Sequence, residues 1–183
     1  EAKYKSVTQN LKASHRQNAS ELKLPPYYPD TPIVREDWKR NYELITAMDA
    51  WAGGLIKQLK ADGLFENTII FYFGDHGGVL PRSKGYIYES GLHVPLVIRA
   101  PDKWQHLIKL KPGTRQGGFV SFIDFAPTVL NLAGVDVPDS MDGLPFLGKG
   151  VSALEERDET FGYADRFDEK YELCRSIRKG KYK

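Results

Sequence analysis

The sequence predicts an α/β fold, and three segments carry that prediction. Residues 67–73 form an apolar run rich in β-branched and aromatic side chains, and the run stops abruptly at Gly74-Asp75-His76-Gly77-Gly78. An amphipathic helix precedes this run, and a second short apolar strand, Leu96-Val97-Ile98, follows it. In open α/β sheets, ligands bind just outside the carboxyl ends of the strands. We therefore expect the chemistry of this chain where the first strand ends.

Composition narrows the class of protein. The 183 residues are 41% hydrophobic, which suits one globular domain or part of a larger one. The net charge is +2, from 26 basic and 24 acidic residues, and gives no reason to expect nucleic acid as a partner. No segment approaches the roughly 18 apolar residues that a membrane span needs. A single cysteine, Cys174, excludes an internal disulfide.

The first half of the chain predicts a loop and then a long helix. Residues 25–32 contain four prolines, which fix φ and restrict the preceding residue, so this segment is extended. From about Arg35 to Ala61 apolar residues recur at steps of three and four, which predicts an amphipathic helix. The positions on that face are Trp38, Tyr42, Ile45, Met48, Ala52, Leu55 and Leu59.

The second half predicts a helix and a separate small subdomain. Residues 74–94 are a glycine-rich loop, too long to be a mere connector. Ser121 to Ala133 follows as a helix or a broken helix, with Pro127 in its first turn and Gly134 near its end. After Glu155 short aromatic strands are predicted over residues 160–163 and 173–177. We therefore expect an α/β domain over residues 1–150, and the start of a smaller antiparallel subdomain over residues 151–183.

Three polar side chains near the first strand suggest a site. A carboxylate oxygen of Asp75 and an imidazole nitrogen of His76 can bind a divalent cation together if a turn redirects both to one point. The Lys84 ammonium could then stabilise charge on a transferring oxyanion. The alternative is that Asp75 caps a turn while His76 and Lys84 are ordinary surface residues, and Arg82 has the same two interpretations. The residue types alone leave both open.

A larger pattern resembles the sulfatase family of the alkaline-phosphatase superfamily. That family shows a strand, an Asp-Asn or Asp-His pair with glycine, a Lys-Gly, and then Tyr-Glu-x-Gly-x-x-x-Pro. This chain has Asp75-His76-Gly77, Lys84-Gly85 and, in the same order, residues 88–95 as Tyr-Glu-Ser-Gly-Leu-His-Val-Pro. Residues 121–128, Ser-Phe-Ile-Asp-Phe-Ala-Pro-Thr, resemble the family's next helix. The resemblance covers most of residues 27–183.

The resemblance implies a fold and roles for individual residues. The fold would be an alkaline-phosphatase-like sandwich, with a central, mostly parallel sheet flanked by helices. Asp75 and His76 would be two calcium ligands, and Lys84 would contact the sulfate ester. His93 stands where sulfatases often have arginine, so we expect it to be structural or to line the substrate pocket. Asp165 and Arg166, in residues 164–169, could reach a sugar from the C-terminal subdomain, or form a surface ion pair. That stretch and the Pro-Asp-Thr-Pro of residues 29–32 are most similar to the glycosaminoglycan and polysaccharide sulfatases.

The resemblance also implies what this chain lacks. Sulfatases use a formylglycine made from the first residue of Cys/Ser-x-Pro/Ala-x-Arg, and it precedes the Asp-His strand. Cys174-Arg175-Ser176-Ile177-Arg178 has serine at the third position and follows that strand, so we expect Cys174 to pack in a strand instead. His15 lacks the flanking pattern of the family's substrate-binding histidine. We therefore expect the C-terminal portion of an exported sulfatase (periplasmic, secreted or lysosomal), whose N-terminal half supplies the nucleophile and the remaining metal ligands.

Two other functions stay open at this point. One is a phosphatase or phosphonate hydrolase of the same superfamily with two transition metals. The pattern of Lys84-Gly85 followed by residues 88–95 argues against it. The other is a non-catalytic sugar-binding protein on a sulfatase scaffold. For the sulfatase, the expected substrate is a sulfated sugar or an aryl sulfate.

Overall fold

The computed structural model describes residues 2–151, 157–167 and 170–182. The chain forms two compact units. We call Glu1–Phe65 with Gly74–Val94 the loop unit, and Glu66–Phe73 with Pro95–Lys183 the sheet unit. The predicted boundary between an α/β domain (1–150) and a C-terminal subdomain (151–183) does not coincide with the division into these two units. That boundary stays a prediction. Residues 152–156, next to that boundary, lie outside the described residues.

The long helix of the loop unit begins earlier than the sequence predicts. α1 spans Ala2–Thr8 and α2 spans Pro32–Ala61. The Thr31 side chain caps α2 by accepting a hydrogen bond from Val34 N, and Pro32 occupies the first turn, where its missing N–H costs nothing. None of the described helices combines the length and apolarity needed to cross a bilayer.

A buried carboxylate ties the N-terminal segment to α2. Glu43 is fully buried and accepts hydrogen bonds from Arg16 Nη1 at 2.9 Å, from Gln17 N at 3.2 Å and from the Tyr4 hydroxyl. Burial alone would raise the pKa of Glu43, but these donors outweigh it and hold that pKa below its ordinary value. The N-terminal residues are therefore fixed by a polar contact rather than by an apolar stripe.

The sheet unit contains two antiparallel strand pairs. β1 (Ile70–Phe73) pairs with β2 (Leu96–Arg99), with Ile70 opposite Arg99 and Phe73 opposite Leu96. β3 (Glu159–Phe167) pairs with β4 (Lys170–Lys179), as predicted for the subdomain. β1 starts three residues later than predicted because Phe65–Asn67 form a 3-10 turn.

The β1–β2 pair differs from the mostly parallel sheet that the resemblance implies. Among the described strands, none pairs in parallel. Parallel strands are joined by a crossover of a dozen or more residues, which is usually a helix. The connection between β1 and β2 contains the loop and, as its α-helix, only the four-residue α3 (Glu89–Leu92). It returns to the end of the sheet at which β1 stops, so β2 runs beside β1 in the opposite direction.

An aromatic cluster packs the sheet unit. The ring of Phe125, in α5 (Phe125–Leu132), lies 4.8 Å from that of Phe73 and 5.6 Å from that of Phe146. A second short helix, α4, spans Gln105–Ile108. Asp124, just before α5, is buried and accepts hydrogen bonds from Ser121 N, Leu144 N and Arg157. Pro127 lies in the first turn of α5 and Gly134 has φ +73° after its end, as the sequence predicts.

Candidate metal and anion site

The site loop, residues 74–94, follows β1 directly and folds back on itself within the loop unit. Gly77 N donates to Gly91 O at 3.1 Å, and Lys84 N donates to Gly78 O at 3.0 Å. The buried Ser83 donates from its hydroxyl to Ser90 O at 2.7 Å. These bonds join both ends of the loop, so its backbone is fixed by its own contacts.

Two glycines make this folding sterically feasible. A Cβ on Gly77 would stand 2.0 Å from Ser90 O and 2.2 Å from Ser83 Oγ. A Cβ on Gly91 would stand 2.3 Å from Tyr86 O and 2.4 Å from Ser83 O. Atoms do not approach so closely without a shift in the backbone, so these two positions require glycine.

Asp75 and His76 lie side by side at the start of the loop. Asp75 Oδ2 and His76 Nε2 are 3.6 Å apart, and both side chains reach solvent. His76 Nδ1 lies 2.7 Å from Gly77 O. A carbonyl oxygen only accepts, so Nδ1 carries the proton and Nε2 presents a lone pair. The pair therefore places two acceptor atoms close together, which the sequence alone could not establish.

This geometry fits a divalent cation. Two neighbouring ligands of a calcium ion, at bonds of about 2.4 Å and near a right angle, lie about 3.4 Å apart. The separation of 3.6 Å between Asp75 Oδ2 and His76 Nε2 is close to that value. No cluster of three or more metal-binding side chains occurs among residues 2–151, 157–167 and 170–182. Calcium takes about six to eight ligands, so these two atoms could fill only part of its coordination shell.

Lys84 and His93 lie on the same loop in different settings. Lys84 is exposed and is tied to the turn after His76 by its backbone bond to Gly78. His93 follows α3, and its Nδ1 lies 3.1 Å from Glu89 Oε1, with 74% of the His93 side chain exposed. The imidazole is accessible, and the expected structural or pocket-lining role of His93 stays a prediction.

The predicted residues of the C-terminal strands lie in the sheet unit. Asp165 pairs with Arg175 at 2.5 Å, and both are exposed. The two line a cavity of about 370 Å³ together with Phe161, Gly162, Tyr163 and Ser176. Arg166 stands opposite Tyr171 after an irregularity in the β3–β4 register. Asp168 and Glu169, from the motif that suggested these residues, lie outside the described residues. Their predicted contact with a sugar stays a prediction.

Cys174 lies in a strand, as the sequence predicts, and His15 lies in a short turn. Cys174 lies in β4 opposite Ala164 and is partly buried with its thiol free. His15 ends a 3-10 turn, Ala13–His15, and is exposed.

The structure also reveals a cluster that the sequence analysis did not assign. The Arg82 guanidinium lies 4.0 Å from the centre of the Tyr88 ring and 5.1 Å from that of Tyr27. The Tyr28 hydroxyl donates to Pro81 O, which joins the proline-rich segment to the loop. In the sequence, Arg82 lies between two stretches that contain tyrosines. That order does not reveal that the Arg82 side chain contacts the tyrosine rings.

Comparison with known proteins identifies the relatives of this chain. The family model described as Sulfatase matches residues 2–135. The chain is 42% identical over 164 residues to the ulvan-active sulfatase of Formosa agariphila, covering 90% of this chain and 26% of that protein. It is 28% identical over 175 residues to the N-acetylglucosamine-6-sulfatase of Bos taurus, covering 85% of this chain and 30% of that protein. The chain thus spans less than a third of the length of either relative.

Two solved structures have a similar fold. BT4656 in complex with its substrate D-glucosamine-2-N,6-O-disulfate superposes with a TM-score of 0.64 at 25% identity, covering 87% of this chain and 33% of that one. The phosphonate monoester hydrolase SpPMH from Silicibacter pomeroyi gives a TM-score of 0.59 at 24% identity, covering 89% of this chain and 31% of that one. These likenesses confirm the alkaline-phosphatase-like α/β fold.

Proposed function

Since this chain belongs to the sulfatase family, we propose that the protein containing it is a sulfuric ester hydrolase that acts on sulfated carbohydrate. The single observation that carries the proposal is the Asp75–His76 pair, whose two acceptor atoms are 3.6 Å apart on a loop that also holds Lys84. Relatives named as sulfatases of ulvan and of N-acetylglucosamine support the substrate class.

The family is generally metal-dependent, and Asp75 supplies the carboxylate oxygen that a hard divalent cation prefers, with the imidazole nitrogen of His76 beside it. We assign Asp75 Oδ2 and His76 Nε2 as two ligands of one Ca²⁺. A cation bound there would neutralise negative charge on the oxygens of a sulfate ester. The Gly77 carbonyl holds the His76 proton on Nδ1, so Nε2 stays available to the metal without a change of tautomer.

Lys84 would hold a sulfate oxygen from the same loop. Its three N–H donors stabilise an oxyanion wherever they are aimed, and the bond from Lys84 N to Gly78 O fixes where its side chain starts. His93, Asp165 and Arg166 are proposed to contact the carbohydrate.

The remaining parts of the site are proposed to lie in the protein beyond these residues. They comprise a formylglycine nucleophile, the other calcium ligands and the N-terminal half of the catalytic domain. The coverage of 26% of the ulvan-active sulfatase leaves room for all three. We also propose that the protein is exported to a periplasm, the exterior or a lysosome.

The test is turnover by the complete protein with an aryl sulfate and a sulfated sugar. Wild-type protein should release sulfate, and Lys84→Ala should lower kcat/KM by about 10²-fold, the usual cost of removing a group that stabilises an oxyanion. Lys57→Ala, which removes an equal charge from an exposed site on α2, is the matched control. Hydrolysis of phosphonate or phosphate esters without hydrolysis of sulfate esters would overturn the proposal. Failure of all turnover would favour a sugar-binding protein.

A further inference from the structure

The Arg82 guanidinium is held in an unusual way for an exposed cation. Its central carbon lies over two rings, 4.0 Å from the Tyr88 centre and 5.1 Å from the Tyr27 centre. Cation–π contacts hold a guanidinium by its attraction to the ring faces, without a protein acceptor for its N–H groups. Within the part of the chain that the structure describes, no carboxylate pairs with Arg82. Its N–H donors are therefore available to a ligand.

The supporting rings are themselves anchored. Tyr27 contacts Tyr28 with ring centres 5.0 Å apart, and Tyr28 meets Trp38 of α2 edge-on at 5.4 Å. The Tyr28 hydroxyl also donates to Pro81 O, one residue before Arg82. On the other side, Ser90 Oγ donates to Arg82 O at 2.6 Å. The guanidinium thus rests on a platform built from three parts of the loop unit.

The backbone at Arg82 supports a functional interpretation. Its φ is +64°, in the left-handed region that a residue with a Cβ adopts only at a cost. Such conformations persist where surrounding contacts impose them, and they concentrate at ligand sites. Here the buried Ser83 and the hydrogen bond from Ser90 impose it, and the result is that Arg82 turns its side chain onto Tyr88.

We propose that Arg82, with Tyr27 and Tyr88, forms an oxyanion subsite that binds a second negative group on the carbohydrate, next to the sulfate ester held at Lys84. The planar fork of a guanidinium matches a carboxylate or a sulfate through two parallel hydrogen bonds. Arg82 and Lys84 are two residues apart, so their Cα atoms are at most about 7 Å from each other. That spacing suits anionic groups on one sugar or on neighbouring sugars, and the tyrosine rings are half-exposed beside the guanidinium.

This subsite rests on the proposed function, and it makes Arg82 a specificity residue rather than a catalytic one. The substrate class that it selects is a polyanionic saccharide, with at least one carboxylate or sulfate besides the sulfate that is hydrolysed. A saccharide with a single charge would lose these two hydrogen bonds.

The experiment uses the complete protein and three disaccharides that share one reactive sulfate ester. The second sugar carries a carboxylate in the first, another sulfate in the second, and only hydroxyls in the third. Wild-type protein should favour at least one of the doubly charged substrates over the neutral one by about tenfold in kcat/KM, through a lower KM, because hydrogen bonds to charged groups are strong. The favoured substrate identifies the oxyanion.

Two variants and a control decide the role of Arg82. Arg82→Gln should remove the preference, and Arg82→Lys, which keeps the charge but loses the planar fork, should keep only part of it. Lys57→Gln should retain it. Loss of kcat/KM by the same factor for all three substrates in Arg82→Gln, or an unchanged preference, would overturn the subsite.

Failure of the subsite is distinguishable from failure of the proposed function. If wild-type protein hydrolyses none of the three, the proposed function fails, and the affinity for each disaccharide measured by calorimetry still tests Arg82. If Arg82→Gln does not fold, as judged by circular dichroism, Arg82→Lys alone must show a reduced preference. If Arg82→Lys kept the full preference for the doubly charged substrate, recognition through two parallel hydrogen bonds from the guanidinium would be overturned.

Discussion

The two compact units differ in whether apolar side chains are buried among the polar ones. In the loop unit the fully buried side chains are polar, Glu43 and Thr8, and Ser83 is almost fully buried. In the sheet unit Asp124 and Thr128 are equally buried, but the apolar residues Phe146 and Leu147 are buried as well, beside a cluster of rings around Phe125. The site loop thus depends on hydrogen bonds and on close backbone approach, whereas the sheet unit depends on side-chain volume in addition to its buried hydrogen bonds. The two units should respond to different kinds of substitution.

The largest effect should come from removing volume in the sheet unit. Phe125→Ala deletes a ring in contact with four other rings, those of Phe71, Phe73, Phe122 and Phe146. We expect a loss of about 3 kcal/mol in the free energy of unfolding, since phenylalanine truncations leave cavities. Urea unfolding of the complete protein measures it. Val129→Ala on the same helix, at a side chain that is 53% exposed, should cost under about 1 kcal/mol. Equal costs would contradict the volume-based account.

The next effect should come from adding a single carbon to the site loop. Gly77→Ala places a Cβ 2.0 Å from Ser90 O, and overpacking of this kind costs about 2 kcal/mol. Gly54→Ala in α2 meets nothing within 4 Å and should stabilise the helix by about 1 kcal/mol. Urea midpoints that move in opposite directions confirm the contrast. A Gly77→Ala protein with wild-type stability and turnover would show that the loop does not need this close approach.

A smaller effect should appear as pH dependence of the loop unit. The pKa of Glu43 is lowered in the folded protein, so its contribution to stability is present above its ordinary value of 4.5 and disappears as the pH falls through the folded pKa. Glu43→Gln should cost about 1.5 kcal/mol at pH 7, because Arg16 loses its charged partner, and the cost should shrink below pH 4.5. Unfolding curves between pH 3 and pH 7 measure it, with Asp49→Asn on the exposed side of α2 as the control. A cost for Glu43→Gln that does not change with pH would be the contrary result.

The smallest effect should come from Cys174 in the sheet unit. Its thiol is partly buried opposite Ala164, and the surrounding motif departs from the nucleophile pattern at Ser176. Cys174→Ser should therefore leave sulfate ester turnover unchanged, and mass spectrometry should find an unmodified cysteine in the wild-type protein. An inactive Cys174→Ser protein, or an aldehyde at this position, would contradict that assignment.

The sequence predicts those helices, strands and turns that depend on hydrophobic periodicity or on proline. The long helix, β2, the α5 helix after Ser121 and the C-terminal antiparallel pair were all predicted, since each depends on a local pattern. The direction of β1 relative to β2 depends on how residues 74–95 return, and no local pattern encodes it. The predicted start of β1 at residue 67 was wrong. Phe65–Asn67 form a 3-10 turn, although the residues that directly follow them are typical of a strand.

The same distinction applies to the site. The order Asp75, His76, Lys84, Gly91 is visible in the sequence, and the family match supports it. The proton on His76 Nδ1 and the stacking of Arg82 depend on contacts with Gly77, Tyr27 and Tyr88 that only the folded loop creates. Local residue types therefore suggest where a site lies, but not which of its atoms are available to a ligand.

The central claim is that Asp75 and His76 supply two ligands of one calcium ion, and calcium binding by the complete protein tests it most directly. After removal of bound metal with a chelator, titration calorimetry should find one Ca²⁺ per wild-type molecule and per Asp49→Asn molecule. Asp75→Asn keeps the shape of the side chain but loses its charge, and should weaken Ca²⁺ affinity by at least about tenfold. An Asp75→Asn protein that binds one Ca²⁺ with wild-type affinity would contradict the account.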